Sequence, residues 1–184
     1  MSLVEAKRTP VAQALEVFIK IHRIIADSGR KKAGSKLRAR AREMPGLIVE
    51  LGLPTALSFC LAKAGVKNLM EVVDVLEGRK KAEVLSEIKG EEELGYALYA
   101  YVILWYLYRN NYGSIGGASL RLETPLADNK EKAEKEFTQN LLDYLNAFSG
   151  SPARFEAEEL LLSFLLEFKR LCEAVFESEE RTNE

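Results

Sequence analysis

The chain has 184 residues, of which 47% are apolar and 29% are charged, and this composition excludes a wholly disordered protein. Its length predicts a single domain over residues 1–184 with a sizeable core. The net charge of −2 is unevenly spread, because residues 1–50 carry +6 and residues 51–184 carry −8. The basic N-terminal region indicates a polyanionic partner or an acidic protein surface.

The two cysteines and the single histidine form no recognisable site. Cys60 and Cys172 lie far apart in apolar sequence without a C-x-x-C spacing, and His22 stands alone on an amphipathic segment. We therefore expect buried thiols, no metal site and no cofactor. The N-terminus lacks the apolar core of a secretory signal, which predicts a cytoplasmic protein. No role at a membrane is expected, because the apolar residues of the basic region are needed for the core.

The first predicted helix begins at Thr9-Pro10, an N-cap followed by proline at the first helical position. Its apolar residues recur at three- and four-residue spacing until Asp27-Ser28-Gly29. A basic helix is predicted close behind it. One stripe of this second helix is apolar and consists of Ala33, Leu37, Ala41, Met44, Ile48 and Leu51.

Cations flank this apolar stripe on both sides. The first shoulder carries Lys31, Arg38 and Arg42, and the second carries Lys32, Lys36 and Arg40. A helix of this kind can bury one face and still present cations to a phosphate backbone. The basic helix is therefore the main candidate surface for a polyanion.

Proline and glycine divide the next part of the chain. Pro45 is expected to bend or interrupt the basic helix, because proline disfavours helical geometry in the preceding residue and lacks a backbone donor. Gly52-Leu53-Pro54 predicts a second joint, followed by a short buried helix over residues 55–64. Two further short helices are predicted at 68–76 and 80–88.

Residues 94–108 read LGYALYAYVILWYLY and are almost entirely apolar or aromatic. A run of 15 residues is too short for the roughly 20 that a membrane-spanning helix needs. A helix that is hydrophobic all round is otherwise a central core helix. The five tyrosines of this run could stack on bases, but their helical spacing favours the core.

Residues 113–129 have no hydrophobic period and predict an exposed loop, in which Arg121 leaves a binding role open. The spacing Asp128-x-x-Glu131 is typical of a capping box and predicts a helix to about Phe148. The last helix is predicted over roughly 153–176, and the tail 177–184 is expected to fray. The fold class is therefore all-α, a compact bundle of about six main helices plus two or three short ones.

The sequence contains none of the usual traces of catalysis. It has no His/Cys/Asp cluster at ligand spacing, no G-x-S-x-G motif and no P-loop, and the run GSIGGAS lacks the Lys-Ser/Thr that a phosphate-binding loop needs. We therefore predict that the protein is not an enzyme.

Two stretches resemble a known family. Residues 44–63, MPGLIVELGLPTALSFCLAK, and residues 156–174, EAEELLLSFLLEFKRLCEA, resemble motifs of the small α-helical subunit of the type III-B CRISPR–Cas (Cmr) effector complex. The first stretch matches at Pro45, Ile48, Gly52, Leu53, Leu57, Phe59 and Leu61. The second stretch matches at Glu159, Lys169, Arg170, Glu173 and Ala174.

The resemblance implies a non-catalytic subunit of a ribonucleoprotein that acts in antiviral defence. Copies of such a subunit stack into a minor filament along the duplex of guide RNA and target RNA, beside other Cmr subunits. RNA contacts are then expected through phosphates rather than base edges, because an A-form duplex hides its major groove. The expected contact residues are Lys31, Lys32, Lys36, Arg38, Arg40 and Arg42, with Lys169 and Arg170 second.

A second interpretation remains open from the residues alone. Opposite charges on the two parts of the chain suit head-to-tail contacts between copies, which can extend into a filament. In this alternative the protein is a pure protein–protein scaffold that makes no direct contact with RNA. Salt-sensitive binding to RNA would distinguish the two interpretations.

Overall fold

The computed structural model describes residues 9–125 and 129–178, and over these residues the chain forms a helical bundle with one small β-hairpin. The predicted all-α bundle is confirmed. Its helices are α1 (Pro10–Asp27), α2 (Lys31–Leu51), α3 (Leu53–Ala64), α4 (Val66–Leu76), α5 (Glu91–Arg109), α6 (Lys130–Ser149) and α7 (Ala153–Val175). A 3₁₀ helix spans Ala82–Glu87, and β1 (Ser114–Ile115) pairs antiparallel with β2 (Ala118–Ser119).

Helix α5 is the centre of the bundle, as its composition predicts. Every residue from Leu94 to Leu107 is buried, and α2, α3, α4 and α7 all pack against it. The hydroxyl of Tyr101 donates a hydrogen bond of 2.6 Å to Glu77, and burial is the main cause that raises its pKa. Tyr99 is fully buried and burial likewise raises its pKa well above the usual value. These tyrosines belong to the core.

The helix starts show which capping predictions hold. Thr9 caps α1, because its Oγ1 accepts a hydrogen bond of 3.3 Å from the backbone N–H of Ala12. The N-cap of α6 is Asn129, whose Oδ1 accepts from the N–H of Lys132 at 2.8 Å. Asp128, the residue predicted to cap this helix, lies outside the described residues, as do residues 179–184 of the predicted frayed tail.

Helix α2 differs from its prediction in two respects. It runs unbroken through Pro45, which is buried inside it, so the expected interruption does not occur. Tertiary packing of the apolar stripe outweighs the local preference of proline. Leu51 is the one member of the predicted stripe that is not buried, with 55% of its surface exposed, because the helix ends there and Gly52 turns the chain with φ +81°.

The segment predicted as an irregular exposed loop contains an ordered hairpin. Gly116 and Gly117 make its turn with φ +57° and +84°, values that suit a two-residue hairpin turn. The Asn140 side chain accepts from the N–H of Arg121 at 3.1 Å and donates to the carbonyl of Ser119 at 2.8 Å. Within residues 113–125, three side chains are buried, namely Ile115, Leu120 and Leu122.

A buried carboxylate fastens the end of this segment to α4. Asp74 is 3% exposed, accepts a hydrogen bond from the Thr124 hydroxyl, and forms ion pairs with Arg79 at 3.0 Å and Lys80 at 2.9 Å. Burial alone would raise the pKa of Asp74, but these partners outweigh it and hold the pKa below its usual value. Ordering of residues 113–125 therefore depends on contacts from distant parts of the chain.

Candidate nucleic-acid interface

Helix α2 lies between α5 on one side and α7 on the other, so its two basic shoulders meet different neighbours. The buried stripe faces the core, with Ala33, Leu37 and Ala41 fully buried. The contacts of the shoulder residues show that one shoulder meets α5 and that the other meets the end of α7.

The shoulder that faces α5 is largely neutralised within the fold. Arg40 forms ion pairs with Glu92 and Glu43, both at 3.0 Å, and donates a hydrogen bond to the Tyr96 hydroxyl. Its side chain is only 12% exposed. Lys36 also pairs with Glu92, at 3.2 Å. These two cations stabilise the contact between α2 and α5, while Lys32 is exposed near the start of the helix.

The shoulder that faces α7 contacts the C-terminal end of that helix. Arg38 donates a hydrogen bond of 2.6 Å to the carbonyl of Phe176, and Arg42 lies 3.5 Å from the Glu173 carboxylate. The backbone of α2 comes so close that a Cβ added at Gly34 would collide with the Phe176 ring. The Arg42 side chain remains 59% exposed despite its ion pair. This shoulder keeps cations at the surface.

The packing of α2 against α7 brings together two groups of cations, one on each helix, that are far apart in the sequence. Lys169 lies one helical turn before Glu173, the residue that pairs with Arg42. Arg170 follows it with a side chain that is 72% exposed and pairs with Glu167. We name the resulting surface the basic face, formed by Lys31, Lys32, Arg42, Lys169 and Arg170.

One surface group was not singled out from the sequence. Phe59 on α3 is 41% exposed, and the ammonium of Lys63 lies 5.8 Å from the centre of its ring. Lys67, at the start of α4, is also exposed. The i, i+4 spacing of Phe59 and Lys63 is the signal that could have identified the pair.

A pocket of about 420 Å³ lies between α4 and α6, and its two buried carboxylates, Glu71 and Asp74, are already paired. Glu71, which is 5% exposed, accepts from Lys80 at 2.6 Å and pairs with Lys130 at 2.7 Å. Burial alone would raise the pKa of Glu71, and the two lysines lower it below the usual value. The pocket is therefore a structural ion-pair cluster that joins α4 to α6.

The side chains of both cysteines are buried. Cys60 and Cys172 are free and fully buried, and burial raises the pKa of Cys60 to about 12. Residues 9–125 and 129–178 contain no group of three or more His, Cys, Asp or Glu side chains that could hold a metal ion. Within the same ranges no helix is both long and apolar enough to cross a membrane.

Comparison with known proteins supports the resemblance seen in the motifs. No family model matches the chain. A curated relative from Saccharolobus solfataricus, described as the CRISPR system CMR subunit Cmr5, is 26% identical over 164 residues. The match covers 89% of this chain and 91% of the relative.

Two solved structures share the fold. One is a chain of a type III-B Cmr-beta complex bound to non-cognate target RNA, with a TM-score of 0.68, 18% identity and coverage of 95% of this chain and 100% of that chain. The other belongs to a Cmr-beta complex bound to cognate target RNA and AMPPnP, with a TM-score of 0.66, 19% identity and coverage of 92% and 97%. The resemblance to a small Cmr subunit is confirmed.

Proposed function

We propose that this chain, a Cmr5-like small subunit by its sequence similarity and its fold, is a non-catalytic component of a cytoplasmic type III-B CRISPR–Cas (Cmr) effector complex. In that complex it contacts the backbone of the guide RNA–target RNA duplex and stacks head to tail with other copies, beside other Cmr subunits. This activity belongs to antiviral defence.

The basic face is the observation that carries the RNA contact. Lys31 and Lys32 are exposed at the start of α2, and Arg42 and Arg170 keep 59% and 72% of their side chains exposed. Two helices hold these cations on a rigid surface, which suits phosphates at the wide minor groove of an A-form duplex. Cations placed in this way release counterions from the RNA when they bind.

The eight predicted contact residues divide into two roles under this proposal. Those of the basic face touch phosphates directly. Lys36, Arg38 and Arg40 instead position α2 against its neighbours, because their charged groups already bind Glu92, the Phe176 carbonyl and Tyr96. Their charges still add to the positive field that attracts RNA.

RNA binding by the full chain tests this proposal. We expect affinity for duplex RNA at low salt and a linear fall of the logarithm of the binding constant with the logarithm of the salt concentration, with a slope of about −0.9 per phosphate contacted in a duplex. Fluorescence anisotropy with labelled duplex and single-stranded RNA at two salt concentrations measures it. Absence of binding at low salt would favour the pure scaffold, in which the chain makes no direct RNA contact.

An exposed apolar end of the bundle supports the stacking of copies. Val49, Leu51 and Phe155 expose 71%, 55% and 68% of their surfaces. The N–H of Leu53 donates to Glu158 at 2.9 Å. This hydrogen bond joins the end of α2, with Val49 and Leu51, to the start of α7, with Phe155. Grouped exposed apolar residues mark interaction sites.

The charges at the two ends of α2 are complementary. Glu50 is exposed beside the apolar end, and Lys89 is exposed at the opposite end of the same helix, where Arg30 donates to the carbonyl of Ile88. A contact between unlike ends is heterologous and can repeat along a filament. Stacking along α2 would place the basic faces of successive copies in one row.

Substitution of the apolar end tests the stacking. We expect the double variant Leu51→Glu, Phe155→Glu to sediment as a monomer at concentrations where the natural chain associates, because buried carboxylates without partners oppose the contact. Analytical ultracentrifugation at low and moderate salt measures it. The control is Leu142→Glu, which changes a side chain that is 54% exposed on α6. Equal loss of association in the control, or a monomeric natural chain at every concentration, would contradict the proposed contact.

A further inference from the structure

The exposed aromatic group on α3 lies apart from the basic face. We propose that Phe59 and Lys63 form a subsite for an unpaired RNA nucleotide, whose base stacks on Phe59 while Lys63 binds an adjoining phosphate. This subsite rests on the proposed function, since it requires that the chain contact RNA. It adds a preference for single-stranded RNA that the basic face does not supply.

Contacts with the core fix the position of the Phe59 ring. It packs edge-on against Tyr96, with ring centres 5.8 Å apart and an angle of 77° between the rings. Tyr96 is only 4% exposed, and the Arg40 guanidinium lies 4.5 Å from its ring centre. Glu43 and Glu92 fix Arg40 in turn. A ring fixed in this way loses little conformational freedom when a base stacks on it.

One exposed cation lies beside the ring. Lys63 follows Phe59 by one helical turn, and its ammonium lies 5.8 Å from the ring centre. Lys63 forms no ion pair with a carboxylate among the described residues. An aromatic platform beside an unpaired cation suits single strands, because bases stack on the ring and cations follow the backbone.

The other exposed aromatic side chains of residues 9–125 and 129–178 lack this combination. Phe155 is 68% exposed, but the cation beside it, Arg154, lies 3.6 Å from the Glu158 carboxylate. Tyr108, at the end of α5, is 52% exposed and is followed by Arg109, which lies 3.7 Å from Glu16. Tyr108 therefore provides a matched control for loss of an exposed aromatic side chain.

We expect RNA bases to stack on Phe59 only when they are not paired. Bases inside an A-form duplex are already stacked, and single-stranded RNA offers splayed bases to aromatic side chains. Removal of the ring should weaken binding to single strands and leave binding to duplex RNA unchanged. This selectivity separates a stacking subsite from a general electrostatic effect.

The test compares Phe59→Ala, Phe59→Leu and Tyr108→Ala in the full chain, with a labelled single-stranded oligoribonucleotide and a labelled duplex at low salt. We expect Phe59→Ala to weaken single-strand binding by roughly 5- to 150-fold, the range for loss of one stacked base. Phe59→Leu should weaken it similarly, although it keeps an apolar side chain against Tyr96, and Tyr108→Ala should bind as the natural chain does. Circular dichroism establishes that each variant is folded.

The outcomes separate the subsite from the proposed function. If duplex binding is salt-sensitive but single-strand binding is the same in Phe59→Leu and the natural chain, the subsite is overturned and the RNA contact of the basic face stands. If the natural chain binds neither RNA at low salt, both are overturned. Equal weakening by Tyr108→Ala would also overturn the subsite, because the effect would then not depend on Phe59.

Discussion

Replacement of Phe164 by alanine is expected to lower the free energy of unfolding by about 3–5 kcal/mol. Phe164 is fully buried on α7, and its ring centre lies 4.5 Å from that of Tyr106 and 6.2 Å from that of Trp105 on α5. It also contacts Phe168 on its own helix. The change removes an aromatic side chain from the junction of two helices and leaves a cavity. Urea unfolding followed by circular dichroism measures the loss.

Leu160→Ala is the control for this prediction. Leu160 lies one turn earlier on α7 and is 40% exposed, so its truncation should cost less than about 1 kcal/mol. Both changes shorten a side chain on the same helix and have similar effects on helix propensity. Equal losses from the two variants would contradict a core in which α5 and α7 meet through Phe164.

The central helix could be predicted from composition alone. A run of 15 apolar and aromatic residues is too short for a membrane and too hydrophobic for a surface, so burial is the remaining solution. Periodicity likewise predicted the buried stripe of α2 as far as Ile48. Local signals suffice where burial depends on the pattern of one segment.

Features that depend on distant contacts could not be predicted. The segment of residues 113–125, which contains the hairpin, is fixed by Asn140 on α6 and by Asp74 on α4. No local pattern in the segment reveals these two contacts. Pro45 remains helical because α2 is packed along its length against α5 and α7, and propensity alone predicts a break. In both cases tertiary contacts outweigh the local preference.

The candidate site was predictable in part. The helical periodicity of the sequence predicted that the α2 cations lie on two shoulders. The contacts of Arg42 and Arg40 show that these shoulders face different helices. The partners Glu92 and Glu173 come from remote segments, so the sequence alone could not indicate that Arg40 is neutralised while Arg42 stays exposed. For the same reason it could not place Lys169 one helical turn from Glu173, the residue that pairs with Arg42.

Charge reversal across the basic face is expected to have the largest effect on RNA binding. The triple variant Lys31→Glu, Lys32→Glu, Lys169→Glu removes two exposed cations and one partly exposed cation, none of which forms an ion pair among the described residues. Loss of three phosphate contacts should reduce the salt slope by about 3 and weaken duplex binding by roughly a hundredfold or more near 0.1 M salt. Anisotropy titrations over a range of salt concentrations measure both quantities.

The matched control reverses three other exposed cations, Lys81, Arg121 and Lys135, which lie outside α2 and α7. Both triple variants change the net charge by the same amount, so long-range repulsion of RNA is similar in the two. Direct phosphate contacts predict that only the basic-face variant loses salt slope. A similar loss of slope in the control would mean that net charge, rather than the surface formed by α2 and α7, determines the affinity, and the basic face would then not be the site of contact.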